Sequence, residues 1–410
     1  MSLFYNIAIL FYQALINVVA IFGNQKAKFW VQGRKSIFRR LKTDLKHDKR
    51  RIWVHAASLG EFEQGRPLIE KIKEQHPEYK IFLTFFSPSG YEVRKNYQGA
   101  DYIYYLPADT HANARKFVDL VKPEVVLFIK YEYWYNYLNT LNKRNIPVYL
   151  CSAIFRNNQL FFKWYGGWYR KVLSLFKHMF VQTEKSKELL ATIGFTNVTV
   201  TGDTRFDRVY AIASQAKEIA EVAAFVGTSK CLIAGSTWEP DEDLLSTYIN
   251  ESAAPLKYII ASHEIHTSHI ERLEKLIQKK VARFSSWKQD QSGNPDVLII
   301  DNIGMLSSLY RYGQVAYIGG GFGKGIHNIL EAATFGLPVL FGPNHLKFQE
   351  ALDLIAIEGA FPIQDYQGLK ARLDALFGDD ALLQTAGQKA GDFVKQNVGA
   401  TEKIMRFIMN

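Results

Sequence analysis

The strongest constraint on the fold is an alternation of short β-prone runs with helical patterns. Beyond residue 50, the runs Ile52–Ala56, Ile81–Phe85, Val125–Ile129 and Val148–Cys151 are separated by helical patterns such as Gly65–Gln75. Strands that alternate with helices in this way are typical of a mostly parallel sheet with helices on its faces. The first half of the chain is therefore predicted to be an α/β domain.

The alternation stops and then restarts. A polar helical stretch over residues 203–225 is followed by five more buried runs, Cys231–Ala234, Lys257–Ala261, Asp296–Ile300, Val315–Ile318 and Pro338–Phe341. With 410 residues the chain is long enough for two cores. We expect two doubly wound, Rossmann-like domains over 26–210 and 211–410, with a ligand cleft where their strand ends face each other. The last helix is a candidate to pack back on the first domain.

Residues 1–25 form a segment without a charged side chain. The run Leu3–Phe22 has about the length that crosses a bilayer as a helix, and no basic residue precedes it, which argues against a signal peptide. Its polar residues lie in one stripe of such a helix: Ser2, Asn6, Gln13 and Asn17. The helix is therefore expected to anchor in a membrane, to lie in its interface or to pack the stripe on protein, and an ordinary buried helix is the alternative.

The net charge is concentrated at the same end. Residues 1–50 hold ten Lys or Arg against two Asp and so carry +8 of the total charge of +10. A nucleic-acid-binding protein would spread its basic residues over a recognition face, whereas a basic segment beside an apolar helix suits an anionic membrane surface facing the cytoplasm. The two cysteines, Cys151 and Cys231, form no C-x-x-C motif, which indicates a reducing compartment.

The first chemical motif is His55-Ala-Ala-Ser58-Leu-Gly60-Glu61, between a predicted strand and a helix that should begin near Phe62. Ser58 and Glu61 match the Ser-x-x-Glu capping box, in which the carboxylate folds back to the Ser58 amide. A carboxylate held at a helix N-terminus can act instead as a general base on an acceptor hydroxyl. The spacing alone leaves both interpretations open.

A glycine-rich loop is predicted within Ile318–Glu331, before a helix that should start at Ile326. Such a backbone is suited to hold phosphate through its N–H groups. The pattern is neither the first-strand G-x-G-x-x-G nor G-K-[ST], which disfavours dinucleotide and ATP sites. Glu331, about two turns into the predicted helix, is a candidate for a ribose hydroxyl pair or else a solvated carboxylate. The loop glycines are Gly319, Gly320, Gly321, Gly323 and Gly325.

A third motif, Tyr131-Glu132-Tyr133-Trp134-Tyr135-Asn136, follows the strand that ends at Ile129. It places an acid, Glu132, among aromatic side chains at a strand end. Sugar stacking and core packing explain the aromatic residues equally well.

Together these motifs resemble those of the 3-deoxy-D-manno-octulosonic acid (Kdo) transferases, glycosyltransferase family 30. His55–Glu61 looks like the family's H-x-A-S-x-G-E, and Glu132–Asn136 looks like its E-L-W-P-N. The resemblance spans roughly residues 1–350, and further segments agree in order: Ser87–Gly90 with T-P-T-G, Tyr105–Asp109 with Y-L-P-x-D, Thr201–Asp207 with G-N-x-K-F-D, Gly235–Thr237 with A-S-T, Gly325–Glu331 with G-G-H-N-x-L-E, and Phe341–Pro343 with F-G-P.

Three positions depart from the family pattern. Lys130 replaces the first acid of E-x-E-L-W, and Met305 replaces the carboxylate of D-T-x-G-E-L. Ser262 stands where the family has the arginine of P-R-H-P. These changes concern the expected contacts to donor and acceptor rather than the class of protein.

The resemblance implies a GT-B fold and an inverting transfer of Kdo from CMP-Kdo to the 6′-hydroxyl of a tetra-acylated lipid A precursor, without a metal or another cofactor. The reaction would belong to lipopolysaccharide synthesis, on the cytoplasmic side of the inner membrane. Glu61, as general base, and Glu132 are the implied catalytic residues, while Ser58 and Gly60 belong to the acceptor side. The implied donor-binding residues are Arg205, which would meet the phosphate, Ser236, Thr237, His263, Gly320, Gly321, Gly323, Gly325, Asn328 and Glu331.

A second cluster of residues favours contact with a membrane and its lipid acceptor. Over residues 156–171 cations alternate with aromatic side chains, as interfacial segments often do. An amphipathic helix with its aromatic face in the core is the alternative. The residues predicted to make this contact are Arg156, Lys163, Trp164, Trp168 and Arg170.

Four other interpretations of the sequence are less well supported. His263, Glu264, His266 and His269 have zinc-ligand residue types, but their order is H-E-x-H-x-x-H and not H-E-x-x-H, which disfavours zinc. A GT-B transferase that uses a UDP-sugar and another lipid acceptor would keep the fold and the glycine loop. A non-enzymatic membrane-surface binding protein would explain the basic segment, but it needs neither the acid nor the phosphate loop. An oxidoreductase lacks the first-strand fingerprint.

Overall fold

The computed structural model describes residues 2–45, 50–287 and 293–409. Lys46 and Lys49 of the basic segment lie outside these residues. The chain forms two compact units, one of Met1–Arg208 with Val398–Asn410 and the other of Val209–Asn397.

The first unit is built on a seven-stranded parallel sheet in the order β3-β2-β1-β4-β5-β6-β7. Its strands are β1 (Arg51–Ala56), β2 (Lys80–Phe85), β3 (Tyr102–Tyr105), β4 (Val125–Ile129), β5 (Val148–Ala153), β6 (His178–Val181) and β7 (Val198–Val200). Its helices are α1 (Ser2–Ile21), α2 (Gln25–Arg34), α3 (Ile37–Asp44), α4 (Leu59–Gln75), α5 (Pro88–Arg94), α6 (His111–Val121), α7 (Tyr135–Asn142), α8 (Gly167–Leu173) and α9 (Glu184–Ala191), with a 3-10 turn at Leu160–Phe162. A helix that runs across the unit boundary, α10 (Thr204–Gln215), follows β7.

The second unit repeats this plan with a parallel sheet in the order β10-β11-β9-β8-β12-β13-β14. Its strands are β8 (Lys230–Thr237), β9 (Leu256–Ser262), β10 (Val281–Arg283), β11 (Val297–Ile299), β12 (Val315–Ile318), β13 (Val339–Phe341) and β14 (Ala360–Pro362). Its helices are α11 (Ala220–Val226), α12 (Glu239–Glu251), α13 (Thr267–Leu276), α14 (Phe284–Trp287), α15 (Leu306–Leu309), α16 (Leu330–Thr334), α17 (Gln349–Ala356), α18 (Tyr366–Gly378) and α19 (Asp380–Asn397), with a 3-10 turn at Tyr310–Tyr312. The final helix, α20 (Ala400–Met409), belongs to the first unit.

The predicted class, two doubly wound α/β units, is confirmed. Each β-prone run identified in the sequence coincides with a strand, and β1 is buried along its whole length. Trp53 of β1 packs with Phe117 and Phe128 on one face of the sheet, and Val54 packs with Ile69 on the other. A central parallel strand is covered on both faces, which is why it reads as a continuous apolar run.

Helix α1 has no buried residue, so the alternative of an ordinary buried helix is wrong. Among the described residues it is the one helix long and apolar enough to cross a membrane. The Tyr5 hydroxyl donates to Asp109 at 2.6 Å, and Asn6 of the polar stripe accepts from Asn136 at 2.8 Å. One face of α1 is therefore attached to the protein while Phe4 and its apolar neighbours are exposed.

Asp109 links α1 to α7. Its carboxylate also accepts the backbone N–H groups of Asn136 and Tyr137, each at 3.0 Å, at the start of α7. Burial raises the pKa of Asp109 to about 6, although the hydrogen bonds from Tyr5, Asn136 and Tyr137 act in the opposite direction. The aspartate of the Y-L-P-x-D segment thus has a structural role at the carboxyl edge of the sheet.

The C-terminal helix α20 completes the core of the first unit. Ile404 and Met405 are buried with the side chains of β1 and α4. Asp207 in α10 caps α20, because its carboxylate accepts the Thr401 N–H and hydroxyl, each at 2.7 Å, and the Gly399 N–H. The aspartate that ends the Thr201–Asp207 motif therefore fixes the chain where it re-enters this unit.

We predict that Asp207→Ala lowers the free energy of unfolding by about 1–3 kcal/mol, since it leaves helix-start donors without their acceptor. Amide hydrogen exchange should speed up most in α20. Asp207→Asn, which keeps one acceptor oxygen, should lose less. Equal exchange of α20 in the wild type and Asp207→Ala would contradict this capping role.

Candidate active site

The first sheet has its topological switch point between β1 and β4. The chain leaves β1 toward β2 on one side, while β4 lies on the other side of β1. In open α/β sheets ligands bind at the carboxyl ends of the two strands that flank such a point. Glu61 follows β1 and Glu132 follows β4, so the two predicted acids flank this crevice.

Glu61 lies in the first turn of α4, which begins at Leu59 and not near Phe62 as predicted. Ser58 is the N-cap residue, but its side chain makes no capping hydrogen bond. Its hydroxyl donates to the Glu61 carboxylate instead. The capping-box interpretation is therefore wrong, and the half-buried Glu61 is held by a hydroxyl at the positive end of a helix.

Glu132 is buried within a hydrogen-bonded cluster. Its Oε2 lies 2.5 Å from the Trp134 indole nitrogen and 3.0 Å from His55 Nε2. His55 Nδ1 in turn lies 2.8 Å from the Thr84 hydroxyl. Because indole and imidazole occupy this carboxylate oxygen, the cluster fixes the crevice wall beside Glu61. Thr84 was not predicted from the sequence, and Trp134 was predicted only as an aromatic neighbour of Glu132.

Tyr131 is a further residue of the crevice that the sequence did not single out. The pKa of its phenol is raised, mainly by burial and to a smaller extent by the charge of Glu61, while Arg156 acts in the opposite direction. The Arg156 guanidinium donates to the Tyr131 hydroxyl at 3.2 Å. Lys130, one of the departures from the family pattern, has a φ of 71°, a left-handed conformation that turns the chain sharply after β4.

Arg205 is fixed by the carboxylate of Asp203, to which its Nη2 and Nε donate at 2.8 and 2.9 Å. Burial acts to raise the pKa of Asp203, but the charge and hydrogen bonds of Arg205 outweigh it, so the pKa lies below its usual value. Gln64 of α4 donates to the same carboxylate at 2.9 Å. The predicted phosphate ligand thus has a local counter-ion and a fixed orientation.

The predicted aromatic and basic membrane segment divides into inward and outward residues. Trp164 is 91% exposed and Tyr165 is 52% exposed. Trp168 instead packs on Tyr5 of α1, with 5.5 Å between ring centroids, and Arg170 donates to the carbonyls of residues 161 and 163. The segment is therefore not a single amphipathic helix with its aromatic face in the core. Arg156 and Lys163 belong to it, Arg156 exposed and Lys163 half-buried.

The second sheet has its switch point between β8 and β12. The Gly235–Thr237 segment ends β8 with a register shift against β9, and Ser236 has a φ of 55°. The Thr237 hydroxyl and the Ser262 hydroxyl both donate to the buried Glu242 carboxylate, at 2.9 and 2.7 Å. Ser262, the residue in place of the family arginine, therefore tightens the end of β9 and offers no positive charge to a ligand.

The glycine loop after β12 is hydrogen-bonded largely to the protein itself. The Gly320 N–H donates to Asp241 at 2.9 Å, and the N–H groups of Gly323 and Gly325 donate to the Gly320 carbonyl. A Cβ on Gly321 would lie 2.5 Å from the Gly342 nitrogen. The glycines thus permit close backbone packing. The N–H groups of Gly320, Gly323 and Gly325 already have protein partners, contrary to the expectation that the loop N–H groups are free to bind phosphate.

The helix after the loop begins at Leu330 and not at Ile326 as predicted, so Glu331 lies in its first turn and not two turns in. Asn328, which precedes the N-cap residue Ile329, accepts the Leu330 N–H through its Oδ1 at 3.2 Å. Asn328 Nδ2 also donates to Glu331 at 3.0 Å. The two residues of the predicted ribose site therefore lie side by side at the loop.

Two histidines of the possible zinc cluster have other partners. His269 is buried and pairs with Glu242 at 3.0 Å. His263 stacks on Trp238, with 4.4 Å between ring centroids. In the described part of the chain, no group of three or more His, Cys, Asp or Glu residues is arranged to hold a metal ion.

We predict that Gly321→Ala lowers the free energy of unfolding by about 1–3 kcal/mol, since its Cβ would collide with backbone atoms that cannot move aside cheaply. Gly323→Ala is the matched control, because the nearest atom to its Cβ lies 3.6 Å away. Thermal denaturation of the two variants measures the difference. Equal melting temperatures would show that the loop is loosely packed.

The two-unit plan is that of the GT-B glycosyltransferase fold. The solved structure of MurG from Acinetobacter baumannii covers 88% of this chain and 99% of its own, with a TM-score of 0.56 and 15% identity. The UDP-GlcNAc 2-epimerase of Neisseria meningitidis, solved with UDP-GlcNAc, gives a TM-score of 0.60 at 17% identity over 88% of this chain and 99% of its own. At these identities the likeness concerns the fold.

The sequence comparisons agree with the resemblance found in the motifs. The family model for 3-deoxy-D-manno-octulosonic-acid transferase (kdotransferase) matches residues 32–208. The 3-deoxy-D-manno-octulosonic acid transferase of Aquifex aeolicus is 29% identical over 345 residues, which cover 82% of this chain and 88% of that protein. The chain is a glycosyltransferase that is similar to the Kdo transferases over most of its length, which confirms the resemblance found in the motifs.

Proposed function

We propose that this enzyme transfers Kdo from CMP-Kdo to the 6′-hydroxyl of a tetra-acylated lipid A precursor with inversion at the anomeric carbon. The observation that carries the proposal is the position of Glu61. It stands at the carboxyl edge of the first sheet, at the switch point, in the first turn of α4 and bonded to the Ser58 hydroxyl. The first unit is accordingly the acceptor-binding domain.

Glu61 acts as the general base. Its carboxylate takes the proton of the acceptor hydroxyl as the oxygen attacks the anomeric carbon, and the bond from that carbon to the CMP phosphate breaks. Ser58 orients the carboxylate, and Gly60, without a side chain, leaves room for the acceptor beside it. Glu132 shapes the same crevice through His55 and Trp134.

The second unit holds the donor at its own switch point. Asn328 and Glu331 are the ligands for the ribose, while Ser236 and Thr237 line the phosphate or the Kdo carboxylate. The loop with Gly320, Gly321, Gly323 and Gly325 borders this site, and His263 contributes its exposed ring. Fixed dipoles and cations carry the charge of the leaving phosphate, so the reaction needs neither a metal nor a cofactor.

A lipid acceptor would account for the exposed apolar and basic side chains of the first unit. Helix α1 exposes apolar side chains along its length, and Trp164 projects from the segment that packs beside α1. We place both in the cytoplasmic leaflet of the inner membrane, where Trp side chains favour the headgroup region. Arg156, Lys163 and the basic residues after α1 meet anionic headgroups there, while Trp168 and Arg170 hold the segment in place.

We predict that detergent-solubilised enzyme transfers Kdo from CMP-Kdo, generated in situ, to the lipid A precursor in the presence of EDTA. Glu61→Ala and Glu61→Gln should be slower by a factor of about 10² or more, as expected for loss of a general base. The control is Glu74→Ala, a highly exposed glutamate at the end of the same helix. Product masses give the number of Kdo units added.

Comparable rates for Glu61→Gln and the wild type would refute the role of base. Transfer that EDTA abolishes and added divalent metal restores would refute the metal-independent mechanism. Membrane binding without transfer, equal in the wild type and Glu61→Ala, would support the non-enzymatic alternative.

The nucleotide distinguishes the donor from the UDP-sugar alternative. We predict that CMP raises the melting temperature of the protein, because a ligand at 100 times its Kd stabilises the folded state by about 2.7 kcal/mol. UDP and UMP at the same concentration should have a much smaller effect. A larger shift with UDP would favour a UDP-sugar transferase with another lipid acceptor.

A further inference from the structure

Three aromatic rings cluster beside the glycine loop of the second unit. His263, which follows β9, stacks on Trp238 and also on His327, with ring centroids 4.4 and 4.6 Å apart and interplanar angles of 25° and 27°. Trp238 follows β8 and His327 lies in the loop after β12, so the cluster stands at the switch point of this sheet. Trp238 and His327 had no assigned role in the sequence analysis.

Trp238 determines which nitrogen of His327 carries a proton. The indole Nε1 lies 3.0 Å from His327 Nε2. An indole nitrogen can only donate, so His327 Nε2 must accept and therefore carries no proton. The ring is neutral in this state, and its proton is on Nδ1.

The Nδ1–H group of His327 is available to a ligand. Within the described residues, Trp238 is the hydrogen-bond partner of the imidazole. The ring also borders the loop closely, since a Cβ on Gly320 would lie 3.0 Å from His327 Cδ2. The next residue, Asn328, is one of the proposed ribose ligands.

We propose that Trp238 is a positioning residue that holds His327 as the neutral Nδ1–H tautomer, and that this N–H donates to an anionic oxygen of the nucleotide-sugar donor. The inference rests on the proposed function and adds to it a residue and a protonation state. A phosphate oxygen and the sugar carboxylate present the same chemistry to an N–H donor, so the test separates them.

The surroundings keep this state over the working range of pH. Burial and the neighbouring His263 lower the pKa of His327 to about 4. Without the indole N–H, Nε2 gains the ability to hold a proton, and the neutral ring distributes its proton between both nitrogens. The titratable groups on the elements around His327 are His263, Asp241 in α12, Lys324 in the loop and Glu331 in α16.

The tautomer is measured directly by ¹⁵N NMR of the histidine rings in the ligand-free protein, assigned with His327→Asn. We expect His327 to show a protonated Nδ1 and an unprotonated Nε2 from pH 5.5 to 8. In Trp238→Phe, which keeps an aromatic ring but has no N–H, the neutral ring should instead distribute its proton between Nδ1 and Nε2. A protonated Nε2 in the wild type at pH 7 would overturn the proposal.

The oxygen that His327 contacts is identified by measuring how CMP and cytidine bind to variants of His327. These variants either keep the N–H donor at the position of Nδ1 or move it to the position of Nε2. Asn places its amide nitrogen where His has Nδ1, and Gln places it where His has Nε2. His327→Asn should bind CMP within a few-fold of the wild type, and His327→Gln about tenfold or more weakly, as expected for a lost hydrogen bond to a charged group. If both variants bind CMP more weakly than the wild type by the same factor, the Nδ1 assignment is overturned.

Cytidine, which has no phosphate, separates the two oxygens. If both variants bind cytidine equally but differ for CMP, the partner is a phosphate oxygen. If they bind CMP equally and differ only in KM for CMP-Kdo, the partner is the sugar carboxylate. If they differ in none of these, His327 does not contact the donor and the proposal fails.

A second background distinguishes positioning by Trp238 from a loss of packing. We expect Trp238→Phe to bind CMP a few-fold more weakly than the wild type at pH 7, because only part of the His327 rings then carry the proton on Nδ1. In the His327→Asn background the donor group does not depend on a tautomer, so Trp238→Phe should have no such effect there. An equal loss of CMP affinity in both backgrounds would assign Trp238 a packing role only.

Failure of the proposed function gives a different result. If the wild type binds neither CMP nor cytidine, the donor assignment and the ligand contact of His327 fail together. The NMR measurement needs no nucleotide, and it still decides whether Trp238 fixes the tautomer.

Discussion

Buried carboxylates that accept backbone N–H groups hold the loops at the carboxyl edges of both sheets. A parallel strand that ends at this edge leaves N–H groups of the following loop without a ladder partner, and an unpaired buried N–H is costly. Asp109 satisfies the start of α7, and Asp241 satisfies both Trp238 and Gly320. The functional crevices depend on these contacts, because the same loops carry the reactive side chains.

The two units have similar structures at their switch points. In each, a non-glycine residue with positive φ turns the chain at a strand end next to the switch point, Lys130 after β4 and Ser236 in β8. Such conformations persist only where the surrounding contacts enforce them, and they cluster at binding and catalytic sites. A buried glutamate supports each crevice, Glu132 through His55 and Glu242 through Thr237.

Much of the fold was predictable, because the central strands are buried on both faces and read as apolar runs. The strands that the pattern missed have three or four residues and mostly lie at sheet edges, as β3, β7, β10 and β14 do. Such strands have too few residues to show a period and pack on fewer neighbours. Helix starts were displaced by about one turn: α4 begins at Leu59 and not near Phe62, and α16 begins at Leu330 and not at Ile326.

The candidate site was predictable in its residues but not in their partners. The motifs named Glu61, Glu132 and the glycine loop, since acids and glycines at strand ends are visible in the order of residues alone. The partners come from elsewhere in the chain: Thr84 reaches His55, Asp241 reaches Gly320, and Trp238 reaches His327.

The sequence by itself determined the two α/β units, the apolar N-terminal helix and the resemblance to the Kdo transferases. Only the tertiary structure decided that Glu61 bonds the Ser58 hydroxyl, that the loop N–H groups are largely engaged, and which nitrogen of His327 holds the proton. The physical reason is that patterning records burial along one strand or helix, whereas a hydrogen bond depends on the distance between atoms that the fold brings together.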